Sequence, residues 1–164
     1  MRLLILFAAV TILITGCDNS RLFENYVEFK DRNWKIQEPV QFEFEITNTQ
    51  QQYNLYYEVR NSLDYPWQRI FVNYQLTDST GTTLSQKLVS DYLFEKSGQP
   101  LGRSGLGDVY DHRFKILQDY SFKNPGKYKF TLQQENRQDT LAGILAIGFR
   151  IETTSKNEQK NGTH

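Results

Sequence analysis

The sequence predicts an all-β protein, built as a single antiparallel β-sandwich of about eight strands. Phenylalanine, tryptophan and tyrosine make up 14% of the chain, and these residues favour sheets. Apolar and polar residues alternate with a period of two over several short stretches, whereas no stretch keeps an apolar stripe at helical spacing for three turns. The pattern leaves both a jelly-roll and an immunoglobulin-like topology open.

The clearest alternation occupies residues 40–47, where valine, phenylalanine and isoleucine alternate with glutamine, glutamate and threonine. Residues 55–60 and 70–76 repeat it, so these three stretches are predicted to be half-buried strands. Five weaker strand candidates are Phe23 to Phe29, Thr82 to Val89, Val109 to Leu117, Lys127 to Gln134 and Ile144 to Ile151. Short helical turns are expected within residues 91–95 and 134–142, and an irregular, glycine-rich loop over 97–108.

The chain begins with the pattern of a lipoprotein signal. A short positive region at residues 1–2 is followed by an apolar stretch over residues 3–14, which is shorter than the roughly 20 apolar residues that span a bilayer. The next residues, Ile14-Thr15-Gly16-Cys17, match a lipobox, in which the thiol takes a diacylglyceryl group and the chain is cut before the cysteine. We therefore expect residues 1–16 to be removed as a signal peptide.

Cys17 is the only cysteine in the sequence, and it is expected to become the lipid attachment site at the start of the mature chain. The thioether-linked lipid and the acylated amine, with palmitate among the acyl chains, give stable membrane attachment because each buried CH₂ contributes about 0.8 kcal/mol. A single cysteine also excludes disulfide frameworks and cysteine-rich zinc sites. We expect a lipid-anchored linker over residues 17–22, the sandwich over 23–152 and a disordered polar tail over 153–164.

The sequence offers no convincing catalytic, metal or cofactor site. Lysine and arginine number 19, as do aspartate and glutamate, so no basic field predicts nucleic-acid binding. His112 has no second histidine nearby and is interpreted as a strand residue that faces solvent. Ser104 lacks the glycine spacing of a nucleophile elbow, and Glu43 and Glu45 share one strand face without a carboxylate placed opposite them.

Candidate partner-binding residues lie where two predicted strands are connected. Arg60 ends one strand, and Tyr65 and Trp67 flank Pro66 before the next strand begins. Loops at the ends of a sandwich tolerate function, and aromatic and arginine side chains dominate binding hot spots. We interpret Arg60, Tyr65 and Trp67 as candidate partner-binding residues, with Trp67 either an exposed anchor or a core ring.

An ordered series of short motifs connects the chain to a known family. The motifs are Trp34 with Pro39-Val40-Gln41-Phe42, Tyr53-Asn54-Leu55-Tyr56, Arg60-Asn61 with Tyr65-Pro66, Leu101 to Asp108, Pro125-Gly126-Lys127-Tyr128, and Arg137 to Ile144 leading into Gly148. With these motifs in order behind a lipobox, the chain resembles the GldH family of gliding-motility lipoproteins of the Bacteroidetes. The resemblance covers the chain from about Tyr26 to Glu152.

The resemblance implies a non-enzymatic component of the gliding machinery, linked to type IX secretion and acting through protein partners in the cell envelope. It supplies no catalytic residues. We expect the lipid to anchor the domain to a membrane with the domain facing the periplasm, and the choice between inner and outer membrane stays open. The alternative is a carbohydrate-binding lipoprotein, because exposed aromatic rings also stack on sugars. A row of such rings beside polar groups would favour a sugar, and a flat apolar patch would favour a protein.

Replacement of Cys17 tests the lipoprotein interpretation directly. The variant Cys17→Ser is expected to accumulate as an uncleaved precursor without lipid, because a serine hydroxyl cannot form the thioether. Intact-mass measurement of the membrane and soluble fractions distinguishes the two forms. Recovery of normally acylated, membrane-bound protein from the variant would exclude Cys17 as the attachment site.

Overall fold

A computed structural model of the chain describes residues 20–154, which form eleven β-strands and no helix. The strands are β1 (Arg21–Glu28), β2 (Asn33–Lys35), β3 (Val40–Ile46), β4 (Tyr53–Ser62), β5 (Arg69–Asp78), β6 (Thr83–Tyr92), β7 (Arg103–Ser104), β8 (Val109–Tyr120), β9 (Gly126–Gln134), β10 (Thr140–Ala142) and β11 (Ile144–Thr153). The predicted all-β sandwich is confirmed.

Two antiparallel sheets and a small ribbon make up the sandwich. One sheet has five strands in the order β1-β11-β4-β8-β7, and the other has four in the order β3-β9-β5-β6. Strands β2 and β10 pair in a separate ribbon. Most neighbours, such as β3 with β9 and β4 with β11, come from distant parts of the chain. This is the topology that the alternation pattern left open.

All eight predicted strands are present, and the differences lie at their ends and in the loops. The short strands β2, β7 and β10 were not predicted, and β7 lies inside the expected irregular loop. Both expected helical turns are wrong, because residues 91–92 end β6 and residues 140–142 form β10.

Strand β1 begins inside the expected linker. The predicted signal peptide, Cys17 and residues 155–164 lie outside the described residues.

The core between the sheets is dominated by aromatic rings. Phe149 of β11 stacks on Phe130 of β9, with ring centroids 4.1 Å apart and planes 9° apart. Phe42 and Phe44 of β3 also contact Phe149, at 5.8 Å and 5.5 Å. Because β3 alternates buried apolar residues with exposed polar ones, its period of two delivers both rings to this interface.

The ribbon of β2 and β10 closes one end of the core. Trp34 is fully buried there, and its indole Nε1 donates a hydrogen bond to Glu38 O at 3.0 Å. Leu141, the register partner of Trp34, is also fully buried. Gly143 follows the ribbon with φ of +82°, and a Cβ at this position would collide with the Tyr65 backbone. Both the backbone conformation and the close approach therefore require glycine.

The substitution Phe149→Ala tests the importance of the aromatic core. We expect it to lower the free energy of unfolding by about 3–5 kcal/mol, because it removes a buried ring and leaves a cavity. Urea unfolding of the mature protein measures the change. Leu106→Ala is the control, since Leu106 is 94% exposed and its loss should change stability by less than about 0.5 kcal/mol. Equal effects of the two substitutions would contradict this description of the core.

Candidate partner-binding surface

The structure does not bring the three predicted binding residues together. Arg60 lies on the outer face of the five-stranded sheet, where its Nε is 2.7 Å from Asp111 Oδ1. Tyr65 is buried, whereas Trp67 is 46% exposed. Of the two alternatives that the sequence left open for Trp67, an exposed side chain or a core ring, the structure shows the exposed side chain. Arg60 and Trp67 remain accessible to a partner at separate places.

Tyr65 has a structural position in the core. Its hydroxyl donates a hydrogen bond to Arg69 O at 2.8 Å and accepts one from Asn136 Nδ2 at 3.3 Å. Its ring is stacked on Phe94 with centroids 6.4 Å apart. Burial raises the pKa of this hydroxyl. Tyr65 therefore fixes the β4–β5 connection from inside and does not offer its ring to a partner.

Trp67 lies at a shallow cavity of about 590 Å³ on the outer face of the four-stranded sheet. We call the side chains Trp67, Arg69, Phe71, Leu88 and Tyr92 the Trp67 surface. Residues 135–138 complete the wall of this cavity. Leu88 and Tyr92 are exposed and Phe71 is half-buried. Contiguous exposed apolar side chains of this kind are typical of interaction sites.

Arg69 organises the aromatic part of the Trp67 surface. Its guanidinium carbon lies 4.4 Å from the centroid of the Tyr92 ring and 5.7 Å from that of Phe71. These are cation–π distances, so the guanidinium occupies a face of the Tyr92 ring. A sugar that stacked on this face would have to displace the cation. The arrangement favours a partner that adds apolar contacts beside an arginine, which is common at protein interfaces.

Hydrogen bonds from the core hold the base of the Trp67 surface in place. Asn136 Oδ1 accepts from Phe71 N at 2.8 Å, and Asn136 N donates to Gln134 Oε1 at 2.9 Å. On the other side, Gln68 O accepts from Leu93 N at 2.8 Å. Asn136 is buried, so these bonds are protected from competing water. The surface is therefore built on a rigid support.

The outer face of the five-stranded sheet carries a charge cluster that the sequence pattern does not predict. Its members are Glu24, Glu58, Arg113, Arg150 and Glu152. Arg113 Nε lies 2.6 Å from Glu58 Oε1. Arg150 Nε lies 2.6 Å from Glu152 Oε1, and Arg150 Nη1 lies 3.0 Å from Glu24 Oε1. Glu58 and Arg150 are each 4% exposed, so loss of one partner would leave a poorly solvated charge.

Tyr26 lies over this sheet face beside the charge cluster. A Cβ at Gly148 would collide with the Tyr26 ring, so the glycine allows the ring to lie flat on β11. The Arg60 guanidinium carbon is 5.7 Å from the same ring. Burial and the neighbouring Glu58 carboxylate raise the pKa of the Tyr26 hydroxyl. The alternation over residues 55–60 placed Glu58 and Arg60 on one face, but their partners come from strands that only the tertiary structure identifies.

The expectation that His112 faces solvent is wrong. His112 is buried, its ring is stacked on Phe114 at 5.8 Å, and its Nε2 has no hydrogen-bond partner within residues 20–154. Gly102 of the preceding loop covers it so closely that a Cβ there would lie 2.7 Å from His112 Nε2. Burial lowers the pKa of His112 to about 4, against the opposing effect of the Asp111 carboxylate. His112 is therefore a neutral core residue at ordinary pH.

Two further features concern metals and membranes. Among the described residues, no group of three or more histidine, cysteine, aspartate or glutamate side chains is placed to hold a metal ion. Within the same part of the chain, no helix is long and apolar enough to cross a membrane.

The buried His112 predicts a specific dependence of stability on pH. The unfolded chain takes up a proton at this residue as the pH falls through 6.5, whereas the folded protein does so only near pH 4. The contribution of His112 is therefore complete above pH 6.5 and is lost as the pH falls towards 4, by a few kcal/mol at most. His112→Gln should reduce the loss of stability between about pH 7.5 and about pH 4.5 in urea unfolding. If the His112→Gln variant and the parental protein lose the same stability between these two pH values, the burial of a neutral imidazole is contradicted.

The chain is similar to one protein family over most of its length. The model of the family described as GldH lipoprotein matches residues 21–151. A gliding motility lipoprotein GldH homolog of Christiangramia forsetii is 29% identical over 154 residues, which cover 90% of this chain and 93% of the relative. The gliding motility lipoprotein GldH of Flavobacterium johnsoniae is 28% identical over 148 residues, covering 86% and 90%.

Similarity to solved structures is weak. A chain from the structure of infectious bursal disease virus, Gx strain, aligns with a TM-score of 0.36 and 11% identity over 85% of this chain and 31% of that chain. A chain from the structure of accessory secretory protein 1, 2 and 3 of Streptococcus pneumoniae aligns with a TM-score of 0.31 and 13% identity over 84% of this chain and 91% of that chain. Neither similarity carries a functional argument. The match over residues 21–151, by contrast, runs from the start of β1 into β11, and the chain belongs to the GldH lipoprotein family.

Proposed function

We propose that this chain is a non-enzymatic, lipid-anchored component of the gliding machinery that acts by protein–protein contact at the Trp67 surface. The lipid on Cys17 holds it at a membrane of the cell envelope, with the domain facing the periplasm. The link to type IX secretion rests on the family resemblance. Two relatives are named for motility rather than for a reaction, which supports a non-enzymatic role. The exposed Trp67 at a supported apolar cavity is the observation that carries the proposed binding site.

The direction of the strands supports this arrangement. Arg21 of β1 pairs with Glu152, and Thr153 pairs with Tyr53 at the start of β4. The anchored end of the chain therefore enters beside the start of β4, and the connection that bears Trp67 leaves from the other end of that strand. Ten residues of β4 span about 33 Å. The Trp67 surface then lies well away from the lipid, where a partner can reach it.

A carbohydrate-binding role is the competing proposal. Trp67 and Tyr92 are exposed rings with Gln68 and Gln138 nearby, and this combination also occurs in sugar sites. Against it, Arg69 occupies a face of the Tyr92 ring, and Leu88 adds an aliphatic contact that a sugar does not need. Calorimetric titration with oligosaccharides distinguishes the protein-binding role from the carbohydrate-binding role. Saturable binding of an oligosaccharide that is lost when Trp67 is replaced would favour the carbohydrate-binding role.

Replacement of Trp67 tests the proposed binding site. Trp67→Ala is expected to leave the melting temperature of the mature protein unchanged, because half of the ring is already in solvent. In cells it should abolish gliding and the recovery of crosslinked motility proteins, since aromatic anchors often contribute more than about 2 kcal/mol to binding. Gliding is scored in a strain in which the variant is the sole copy, with its amount measured by immunoblotting.

The matched control for this test is Leu63→Ala. Leu63 belongs to the same β4–β5 connection and is 50% exposed, but it does not line the cavity at Trp67. This variant should glide normally. Normal gliding of the Trp67→Ala strain at normal protein level would defeat the proposed site, and a large fall in its melting temperature would assign Trp67 a structural role.

A further inference from the structure

One end of the sandwich lies next to the proposed lipid anchor, and we call it the proximal end. Strand β1 begins there at Arg21, and Ser20 O accepts a hydrogen bond from Thr153 N at 2.7 Å. Ser20 is only three residues beyond Cys17, so the chain between them spans at most about 11 Å. The inference below rests on the proposed lipid at Cys17, which brings the proximal end within that distance of the membrane surface.

Three connections between strands meet at the proximal end. They are residues 47–52 between β3 and β4, 79–82 between β5 and β6, and 121–125 between β8 and β9. Tyr53 of β4 pairs with both Thr153 and Tyr120, so β11 and β8 end beside the start of β4. In the other sheet, Asp78 at the end of β5 pairs with Tyr128 near the start of β9. The last two connections are therefore neighbours at this end.

A cavity of about 280 Å³ opens between the β5–β6 and β8–β9 connections, and we call it the proximal cavity. Its polar lining includes Ser79, Thr80, Lys123, Asn124 and Lys127. Both lysines are exposed, and neither forms an ion pair with another residue of the range 20–154. Lysine ammonium groups beside hydroxyl and amide donors are suited to bind a phosphate group.

Asp78 also lines the proximal cavity, but its carboxylate is already engaged. Its Oδ1 accepts hydrogen bonds from Thr80 Oγ1 at 2.6 Å, from Thr80 N at 2.9 Å and from Thr82 N at 3.0 Å. The Thr80 hydroxyl, followed by the backbone donors of the turn, lowers the pKa of Asp78. Two lysines against this one carboxylate leave the cavity with a net positive charge. The cavity therefore favours an anion.

The aromatic core holds the β8–β9 connection in place. Phe122, which precedes Lys123, is buried, and its ring contacts those of Tyr128 and Tyr53 with centroids 4.7 Å and 5.6 Å away. The Tyr128 hydroxyl donates a hydrogen bond to Asn124 O at 2.5 Å. The backbone is thus fixed on both sides of Lys123. A site that is already formed loses less conformational entropy when a ligand binds.

We propose that the proximal cavity binds the phosphate headgroup of an anionic phospholipid in the membrane that holds the anchor. Lys123 and Lys127 pair with the phosphate oxygens, and the Ser79 hydroxyl and the Asn124 amide donate hydrogen bonds to them. Strands β1 and β8 are three strand spacings apart in their sheet, or about 14 Å. The anchor and the bound headgroup are therefore two separate attachments, which together fix the orientation of the domain.

The opposite end of the sandwich does not suit an anionic surface. Acidic residues outnumber basic ones in its connections, with Asp31, Glu38, Asp64, Glu95, Asp108, Glu135 and Asp139 against Lys30, Arg32, Lys96 and Arg137. The negative surface potential of anionic lipids attracts basic groups and repels acidic ones. The distribution of charge therefore favours the same orientation as the anchor, with the proximal end towards the membrane.

Titration of the full-length lipoprotein with lipid tests the site. Short-chain phosphatidylglycerol is added to the protein in nonionic detergent, and native mass spectrometry counts the lipids bound to each chain. We expect one phosphatidylglycerol per chain and binding of phosphatidylcholine that is at least about tenfold weaker. The double variant Lys123→Glu, Lys127→Glu should weaken binding of phosphatidylglycerol at least about tenfold, because both attractive charges are reversed. The pair Lys123→Gln, Lys127→Gln, which removes the charges without reversing them, should also weaken it.

The matched control is the double variant Lys30→Glu, Lys96→Glu, which makes the same change of charge at two exposed lysines of the opposite end. It should bind phosphatidylglycerol as the parental protein does. Equal loss of binding in this control would overturn the site, and so would unchanged binding in both the glutamate and the glutamine pairs at positions 123 and 127.

A soluble phosphate compound is the other possible source of the ligand. Glycerol 1-phosphate at the same concentration should not displace phosphatidylglycerol, and full displacement would overturn the assignment to a lipid. Membrane fractionation of the same variants reports on the anchor separately. A chain that stays in the membrane fraction but binds no phosphatidylglycerol would overturn this site and leave the proposed function intact.

Discussion

The sandwich depends on the stack of Phe149 on Phe130 between its two sheets. Each ring belongs to a strand with neighbours on both sides, β11 between β1 and β4, and β9 between β3 and β5. Most of these neighbours are far apart in sequence, so pairing alone offers little local gain to offset the entropy of bringing them together. The aromatic contact joins the two sheets and contributes apolar burial that offsets this entropy. Both outer faces depend on this contact, because it holds the two sheets against each other.

The two outer faces that this core supports differ in character. The five-stranded sheet presents paired charges, with Glu58 and Arg150 held in an ion-pair cluster and Tyr26 lying flat over Gly148. The four-stranded sheet presents apolar side chains, where Trp67 lies beside Arg69. Buried ion pairs often add little net stability because of the cost of desolvation, whereas exposed aromatic side chains offer binding energy. The proposed contacts with other proteins therefore belong to the four-stranded side.

The proposed anchor and the proposed contacts are also separated along the strands. The chain enters at Arg21, beside the start of β4, and the Trp67 connection leaves from the opposite end of β4. This separation leaves the Trp67 surface free for a partner at the end of the sandwich away from the proposed anchor.

The sequence by itself determined the strands, because a period of two is a local property: the alternation of Phe42 and Phe44 with glutamates identified β3 and its buried face. The lipobox pattern and the family motifs were likewise identified from the order of residues along the chain, and the family match confirmed the resemblance to the GldH family. The tertiary structure decided which strands pair, that Tyr65 and His112 are buried, and that Arg60 and Trp67 lie apart. The ion pair of Glu58 with Arg113 joins strands that are far apart in the sequence, and no local pattern specifies such a contact. Burial of a side chain depends on what the rest of the chain places against it, which is why only the folded structure could assign these residues.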